Sequence, residues 1–343
     1  MSAAAIATRV GAFVVAVALV VGAFMVRDGG DAATDEPDAR DPVEPGTVVC
    51  AAELRICDDL ARALGADWDV TTEDGVRTAR ALQGAETAAT WVTAQALVDV
   101  VESARDRSGR APLLATSDVI ASSPLVMVGF ADRLAVLEAS CGAVTWSCVG
   151  DAAGDAWSAV GGPSSWGDVR PGHAGLDRSV VGLLVAAQAA AGRLDSTILS
   201  TRALDESGFA TWFAGLEQAV PDFDPPSGSV LTDMVVFGTG SYDVVGTTAA
   251  EALDTIERAQ TRALGLEVLR VAPEVAVRVV VAGSGGIPAA VVDEVERLLG
   301  ERRWDLDPGT AAAPEAVDQV TVEAASFDGG QLEALILRWE RIR

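Results

Sequence analysis

The chain has 343 residues, 50% of them hydrophobic, and its 50 acidic side chains against 25 basic ones give a formal net charge of -25. The apolar fraction excludes a disordered protein, and the length allows a core in two domain-sized units once terminal segments are set aside. The charge excludes nucleic acid, whose phosphates would be repelled over most of the surface, and makes an anionic membrane surface a poor partner.

Val10 to Val26 carries no charged residue. As a helix this run would span about 26 Å, slightly under a hydrocarbon core, so it is expected to cross a membrane with little tilt. Arg9 and the amino terminus precede it and acids dominate after it, which orients the N-terminus to the cytoplasm and the rest outside. An uncleaved anchor over residues 1–27 is preferred to a signal peptide cut near Val21-Gly22-Ala23. Residues 28–46, rich in Asp, Glu, Gly and Pro, read as a solvated acidic linker. The expected location is thus the cell membrane, single-pass, with the folded part extracytoplasmic.

The four cysteines fall in two local pairs, Cys50 with Cys57 and Cys141 with Cys148. Neither pair has the C-x-x-C spacing of a zinc or thioredoxin-like site, and there is one histidine, so no metal is expected. Outside the cytoplasm an even count suggests disulfides. Three connectivities are open; the local one is preferred, and four buried free thiols remain the alternative.

From Thr47 strand and helix signals alternate. Thr47-Val48-Val49 reads as a strand, Glu53–Leu64 as a helix stopped by Gly65, Trp68–Thr71 as a strand and Gly75–Leu82 as a helix. Ala88–Val92 is the third strand and Ala94–Ala104 its helix, a pattern that predicts an α/β sheet with helices on both faces. Ligands of such sheets lie beyond the carboxyl ends of the strands, which singles out Ala51, Ala52 and Glu53, and Thr93 to Gln95. Each has an ordinary role open to it: Glu53 can complement a helix dipole, and Thr93 can cap a helix.

Pro112 to Phe130 is the organising stretch. Leu113–Ala115 reads as a strand, Thr116-Ser117-Asp118 as a break, and Ser122-Ser123-Pro124 opens a run through Leu125-Val126-Met127-Val128 that is apolar on both faces. Proline keeps the preceding residue extended, so Ser122 and Ser123 are placed at a ligand-facing crossover between two lobes.

In the second unit, Ala131–Ala139 is predicted helical, Val144-Thr145-Trp146 extended and Asp155–Val160 a further helical turn. A loop at 165–172 then leads to an apolar helix over Val180–Ala191. Ser179 or Asp177 stands at the start of that helix, where unpaired N–H groups suit either an anion or a cap. Phe209–Val220 is a helix. The runs Val230–Phe237 and Tyr242–Val245 flank Gly238-Thr239-Gly240-Ser241, and Ala249–Ala259, with Glu251, is a helix. Val275–Val281 is the return crossover, with helices at Pro288–Leu299 and Leu332–Ile342 after it.

Four stretches, ATxxxxxxSPLVMV from Ala115, SWGDVRPGxxxLDRSxxGLLV from Ser165, GSYDVVGTTAAEAL from Gly240 and VRVVVAG from Val277, carry a resemblance. In this succession the chain resembles the type 2 periplasmic binding fold, in particular bacterial extracellular solute-binding proteins of the molybdate-binding-like group and their actinobacterial membrane-anchored relatives. The resemblance implies a two-lobed fold with a hinge crossover, lobe 1 being 47–121 plus 277–343 and lobe 2 being 122–276. It implies a ligand held by the loop at Ala51 to Glu53, the Trp91 to Gln95 segment with Trp91 and Thr93, Ser122 and Ser123, the Asp177 to Ser179 helix start with Arg178 and Ser179, and Gly240 to Asp243 with Ser241 and Tyr242. The family often has an acidic or hydroxyl residue around Ala89 and Ala94, and a proline where Arg178 stands.

Other chemistry is thin. Pro288 stands where a dinucleotide fingerprint starting at Gly283 would need its third glycine, so no cofactor is expected. No G-x-S-x-G elbow is present, and His173, in a polar loop, reads as a surface residue without a nucleophile. Trp146, Trp157 and Trp166 are either core or a sugar platform. The expectation is a membrane-tethered solute-binding protein, not an enzyme, holding a small polar or anionic solute for an importer or as a sensor. Its expected partners are the solute, a membrane transporter and the membrane itself. The alternative is a ligand-free interaction ectodomain on the same scaffold.

Overall fold

The computed structural model describes residues 46–224, 228–307 and 325–342. The apolar run Val10–Val26 lies outside the described residues, as do residues 28–45 of the linker. Among the described residues no helix is long and apolar enough to cross a membrane.

The first half alternates as its periodicity predicts: β1 (Thr47–Ala51), α1 (Cys57–Leu64), β2 (Asp69–Glu73), α2 (Gly75–Gln83), β3 (Thr90–Ala94) and α3 (Gln95–Arg107). β1 runs parallel to both β2 and β3. β4 (Ala115–Thr116) is shorter and later than the strand predicted at Leu113–Ala115. The Leu113 and Leu114 N–H groups donate to the Glu102 carboxylate instead of to a neighbouring strand.

β5 (Ala121–Phe130) then carries the chain into the second half. That half contains α4 (Ala131–Cys141), α5 (Trp146–Ala152), β6 (Pro171–Gly172), α6 (Val180–Leu194), α7 (Thr201–Asp205), α8 (Ser207–Gln218), α9 (Val230–Phe237), β7 (Val244–Thr248), α10 (Ala249–Ala259) and β8 (Leu266–Leu269). β9 (Ala276–Gly283) returns, followed by α11 (Ala289–Glu301) and α12 (Gly329–Glu340).

The strands order as β2-β1-β3-β9-β5-β7-β6, with β4 on β9 and β8 on β5. β5 is the join. Its opening residues Ala121–Pro124 pair antiparallel with β9, and Leu125–Gly129 pair antiparallel with β7. β9 lies antiparallel to β3, so β5 and β9 are the outward and return crossovers of a two-lobed α/β fold.

β5 is apolar on both faces because both are covered. Leu125 and Met127 face the main apolar cluster, while Val126 and Val128 face a smaller one with Leu231, Met234, Tyr242 and Val245. α6 is buried along most of its length, matching its apolar sequence. Gly182 lets it approach the preceding loop: a Cβ there would lie 1.9 Å from the Ala174 carbonyl oxygen.

The disulfides take the local pairing, Cys50–Cys57 and Cys141–Cys148. No free cysteine occurs among the described residues.

Three expectations are corrected. The helix predicted from Glu53 is interrupted: Ala52–Leu54 forms a 3-10 turn, Arg55 takes φ 58, and α1 begins at Cys57. A residue in the left-handed region cannot propagate a right-handed helix. Val144-Thr145-Trp146 is not a strand, since Thr145 caps α5 by accepting from the Cys148 N–H at 3.2 Å. His173 is buried, not on the surface: its Nε2 is 3.2 Å from Glu217 Oε1 on α8, and its ring packs against Phe223.

Candidate ligand site between the two halves

The turn after β1 sets the site. Because Arg55 is left-handed, Ala52–Arg55 bends out of line with α1 and sends two side chains toward the second half. Glu53 Oε1 accepts from the Val180 N–H at 3.0 Å, and Oε2 accepts from the Gly75 N–H at 3.3 Å. Those are the first residues of α6 and α2, so one carboxylate meets two helix N-termini, where free N–H groups and the dipoles favour negative charge. The two helix starts are also joined directly, the Val76 N–H donating to the Arg178 carbonyl at 3.0 Å.

Burial pushes the Glu53 carboxyl up to about 7; the Val180 and Gly75 N–H groups pull it down, and Asp74 adds to the rise. The carboxylate has room only because residue 75 is glycine, since a Cβ there would lie 2.3 Å from Glu53 Oε1.

Arg55 reaches the other side. Its Nη1 donates to Glu251 Oε1 at 2.8 Å, Ser229 Oγ donates to the same oxygen at 2.6 Å, and Thr247 Oγ1 donates to Oε2 at 2.5 Å. Arg178 pairs with Asp224, which raises its pKa. Around these groups lies a cavity of about 140 Å³ lined by Ala52, Glu53, Arg55, Asp74, Ala174, Gly175, Arg178, Ser179, Phe223, Asp224, Ser229, Thr247 and Glu251, among others. Four carboxylates and two guanidiniums line it, and both guanidiniums are paired. The groups that would receive an oxyanion are already met, the α2 and α6 starts by Glu53 and the guanidiniums by Glu251 and Asp224, so the lining suits a neutral polar or cationic group better. No cluster of side chains able to hold a metal ion occurs among the described residues.

Of the residues singled out in the sequence, Ala52, Glu53, Arg178 and Ser179 meet at this cavity. Ser179 caps α6, its Oγ accepting from the Val181 and Gly182 N–H groups at 3.2 and 3.5 Å. The others stand elsewhere. Ala51 ends β1 in the core, and Trp91 and Thr93 are buried within β3. Ser122 bridges through its backbone to Asp305, and Ser123 Oγ accepts from the Ala250 N–H at 3.0 Å, at the start of α10. Ser241 Oγ lies within bonding reach of the Gly238 and Asp233 carbonyls. The buried Tyr242 donates to the Asp222 carbonyl at 2.7 Å, and burial raises its pKa.

The Gly240–Asp243 segment is fixed by Arg170, which donates to the Gly240 and Thr239 carbonyls, and by the buried Asp243. Asp243 accepts from Arg133 Nε at 3.2 Å, Trp157 Nε1 at 3.3 Å and the Arg170 N–H at 2.9 Å. Arg133 in turn lies 3.3 Å over the Trp166 ring. Trp146 and Trp157 are core, and none of the three tryptophans lines the cavity.

Arg55, Asp74, Phe223, Asp224, Ser229 and Thr247 carry no local signal in the sequence that marks them for the site, and Glu251 reads there only as a helix residue. The β1-end rule pointed to Ala51–Glu53 and could have been carried two residues further, to Arg55.

The two lobes, the pair of crossover strands and a cavity at strand ends and helix starts define the fold of the type 2 periplasmic solute-binding proteins. Among solved structures, the periplasmic binding protein AfuA from Actinobacillus pleuropneumoniae, with fructose-6-phosphate bound, matches with a TM-score of 0.54 and 12% identity, over 86% of this chain and 98% of that one. Iron-bound HitA from Pseudomonas aeruginosa matches with a TM-score of 0.52 and 12% identity, over 86% and 99%. No family model matches the chain, and no curated protein matches it. At this identity the likeness is one of fold.

Proposed function

We propose that this protein is an extracytoplasmic solute-binding protein that holds a small neutral or cationic polar molecule between its two lobes. The observation that carries the reading is the cavity at Glu53, Arg178, Ser229 and Glu251, built from strand ends and helix starts of both halves. AfuA and HitA, of like fold, are described with a sugar phosphate and with iron, which supports a binding role over catalysis. The Val10–Val26 run supports a membrane tether, the two disulfides support a location outside the cytoplasm, and a transporter or sensor would be the partner. Kinship to the molybdate-binding-like group is supported by the succession of motifs, but an oxyanion at the start of α6 would meet the Glu53 carboxylate already there.

That same carboxylate favours a second reading, a ligand-free scaffold that keeps the fold and has filled its own anion position.

A thermal-shift screen of the protein against neutral sugars and polyols, amines and guanidines, and oxyanions separates the two. A ligand at 100 times its Kd adds about 2.7 kcal/mol, enough to raise Tm by several degrees. A shift with a neutral or cationic compound is expected. A shift with oxyanions alone would reverse the charge assignment, and no shift across the panel would leave the scaffold.

A further inference from the structure

The short turn after β1 does more than line the cavity. Within three residues it delivers a carboxylate, Glu53, to the starts of α2 and α6, and a guanidinium, Arg55, to Glu251 on α10. The contact of Glu53 with α2 stays within the first half, while its contact with α6 and that of Arg55 with α10 cross to the second. Together they present the acidic and basic ends that a zwitterionic solute would offer the same groups.

Two further features show that the turn is built for this. Arg55 holds φ 58, a conformation costly to a residue with a side chain and retained where surrounding contacts impose it. Gly75 leaves the space that the Glu53 carboxylate fills, and any side chain there would strike it.

We propose that this turn is an internal ligand: Glu53 and Arg55 hold the lobes closed with no solute present, so that a solute enters by displacing them. The closure rests on the two-lobed fold and operates equally in a scaffold that binds nothing; the displacement step rests on the solute reading. Other links also join the halves: the Val76 N–H with the Arg178 carbonyl beside Glu53, Trp339 Nε1 with Glu217, and Ser123 with Ala250 beside the β5–β9 crossover. Glu53 and Arg55 act across the gap, where a contact has most leverage on closure.

The test is an interlobe distance. Spin labels are placed through Asp67→Cys beside β2 and Ser158→Cys in the second half, both exposed positions, and read by pulsed electron resonance without added solute. The parent protein should give one narrow distribution. The Glu53→Ala/Arg55→Ala variant should add a longer-distance population, from below detection to about a tenth of the molecules or more. The single variants Glu53→Leu and Arg55→Met, which remove the acceptor and the donor and keep most of the side-chain bulk, provide the same reading if the double variant does not fold. Unchanged distributions in every folded variant, or a parent protein already spread over long distances, would overturn the proposal. The solute reading is judged separately by the thermal-shift panel, so the failure of one is not the failure of the other.

Discussion

Glu53 and Val180 stand 127 residues apart in the chain, and the Glu53 carboxylate accepts the Val180 N–H at 3.0 Å. A carboxyl held at about 7 by burial, against 4.5 for an ordinary glutamate, ties stability to pH. Between those values the folded carboxyl keeps its proton while the unfolded one has lost it. Folding then takes up a proton, and stability falls as pH rises through that window. The contribution is complete below pH 4.5 and lost above 7, amounting to about 3 kcal/mol. Glu53→Gln, which cannot titrate, should flatten this decline relative to the parent protein. Urea unfolding from pH 4.5 to 8 checks it, and equal slopes in both proteins would count against the environment assigned to Glu53.

Gly182→Ala should lower stability by about 1–3 kcal/mol, because the new methyl would sit 1.9 Å from a backbone carbonyl that cannot swing aside. The strain falls on Ala174 and Gly175, which line the cavity, so any ligand found in the thermal-shift panel should bind the variant more weakly. A stable variant with unchanged affinity would show that the loop yields freely.

Each disulfide joins residues seven apart, and on the chain-entropy model a loop that short is worth about 2.5 kcal/mol. Cys141→Ala with Cys148→Ala should therefore lower Tm by roughly 5 °C or somewhat more. A calorimetric scan of oxidised parent and variant measures the difference, and identical melting would remove this bridge as a source of stability.

Asp243 is fully buried and holds Arg133, Trp157 and the Arg170 backbone together. Asp243→Ala would leave the buried Arg133 guanidinium without that carboxylate and should cost about 3–5 kcal/mol. Trp166→Leu, which removes the cation–π partner and keeps the ion pair, should cost less, about 1–2 kcal/mol. Denaturant midpoints rank the two, and the reverse order would show that the ring, not the carboxylate, secures Arg133.

The succession of elements was legible because its signals are local. The two-faced apolar run of β5, the continuous apolar length of α6 with Ser179 before it, and the spacing of the cysteines each lie within one short stretch. The site was legible only on its first-half side, where strand ends point to Glu53. Glu251, which Arg55 meets, and Ser229 and Thr247, which meet Glu251, lie about 170 to 200 positions beyond Arg55, and no periodicity links them to it. Arg55 in sequence is one more charge on a helix predicted to be continuous; its left-handed backbone, which aims it across, is a tertiary effect. His173 was misplaced for a similar reason: its neighbours are polar or small, while Glu217 and Phe223, which enclose it, arrive from later in the chain.

The ten residues of β5 serve two masters. Pairing in a sheet repeats every two residues, so inserting or deleting one amino acid near Pro124 would turn the following half of the strand inside out while leaving the preceding half in place. Evolution or engineering can therefore lengthen the surface turns of either lobe independently, but the junction must change by whole pairs or not at all. A recombinant fragment cut there would strip each half of a strand that its neighbour needs.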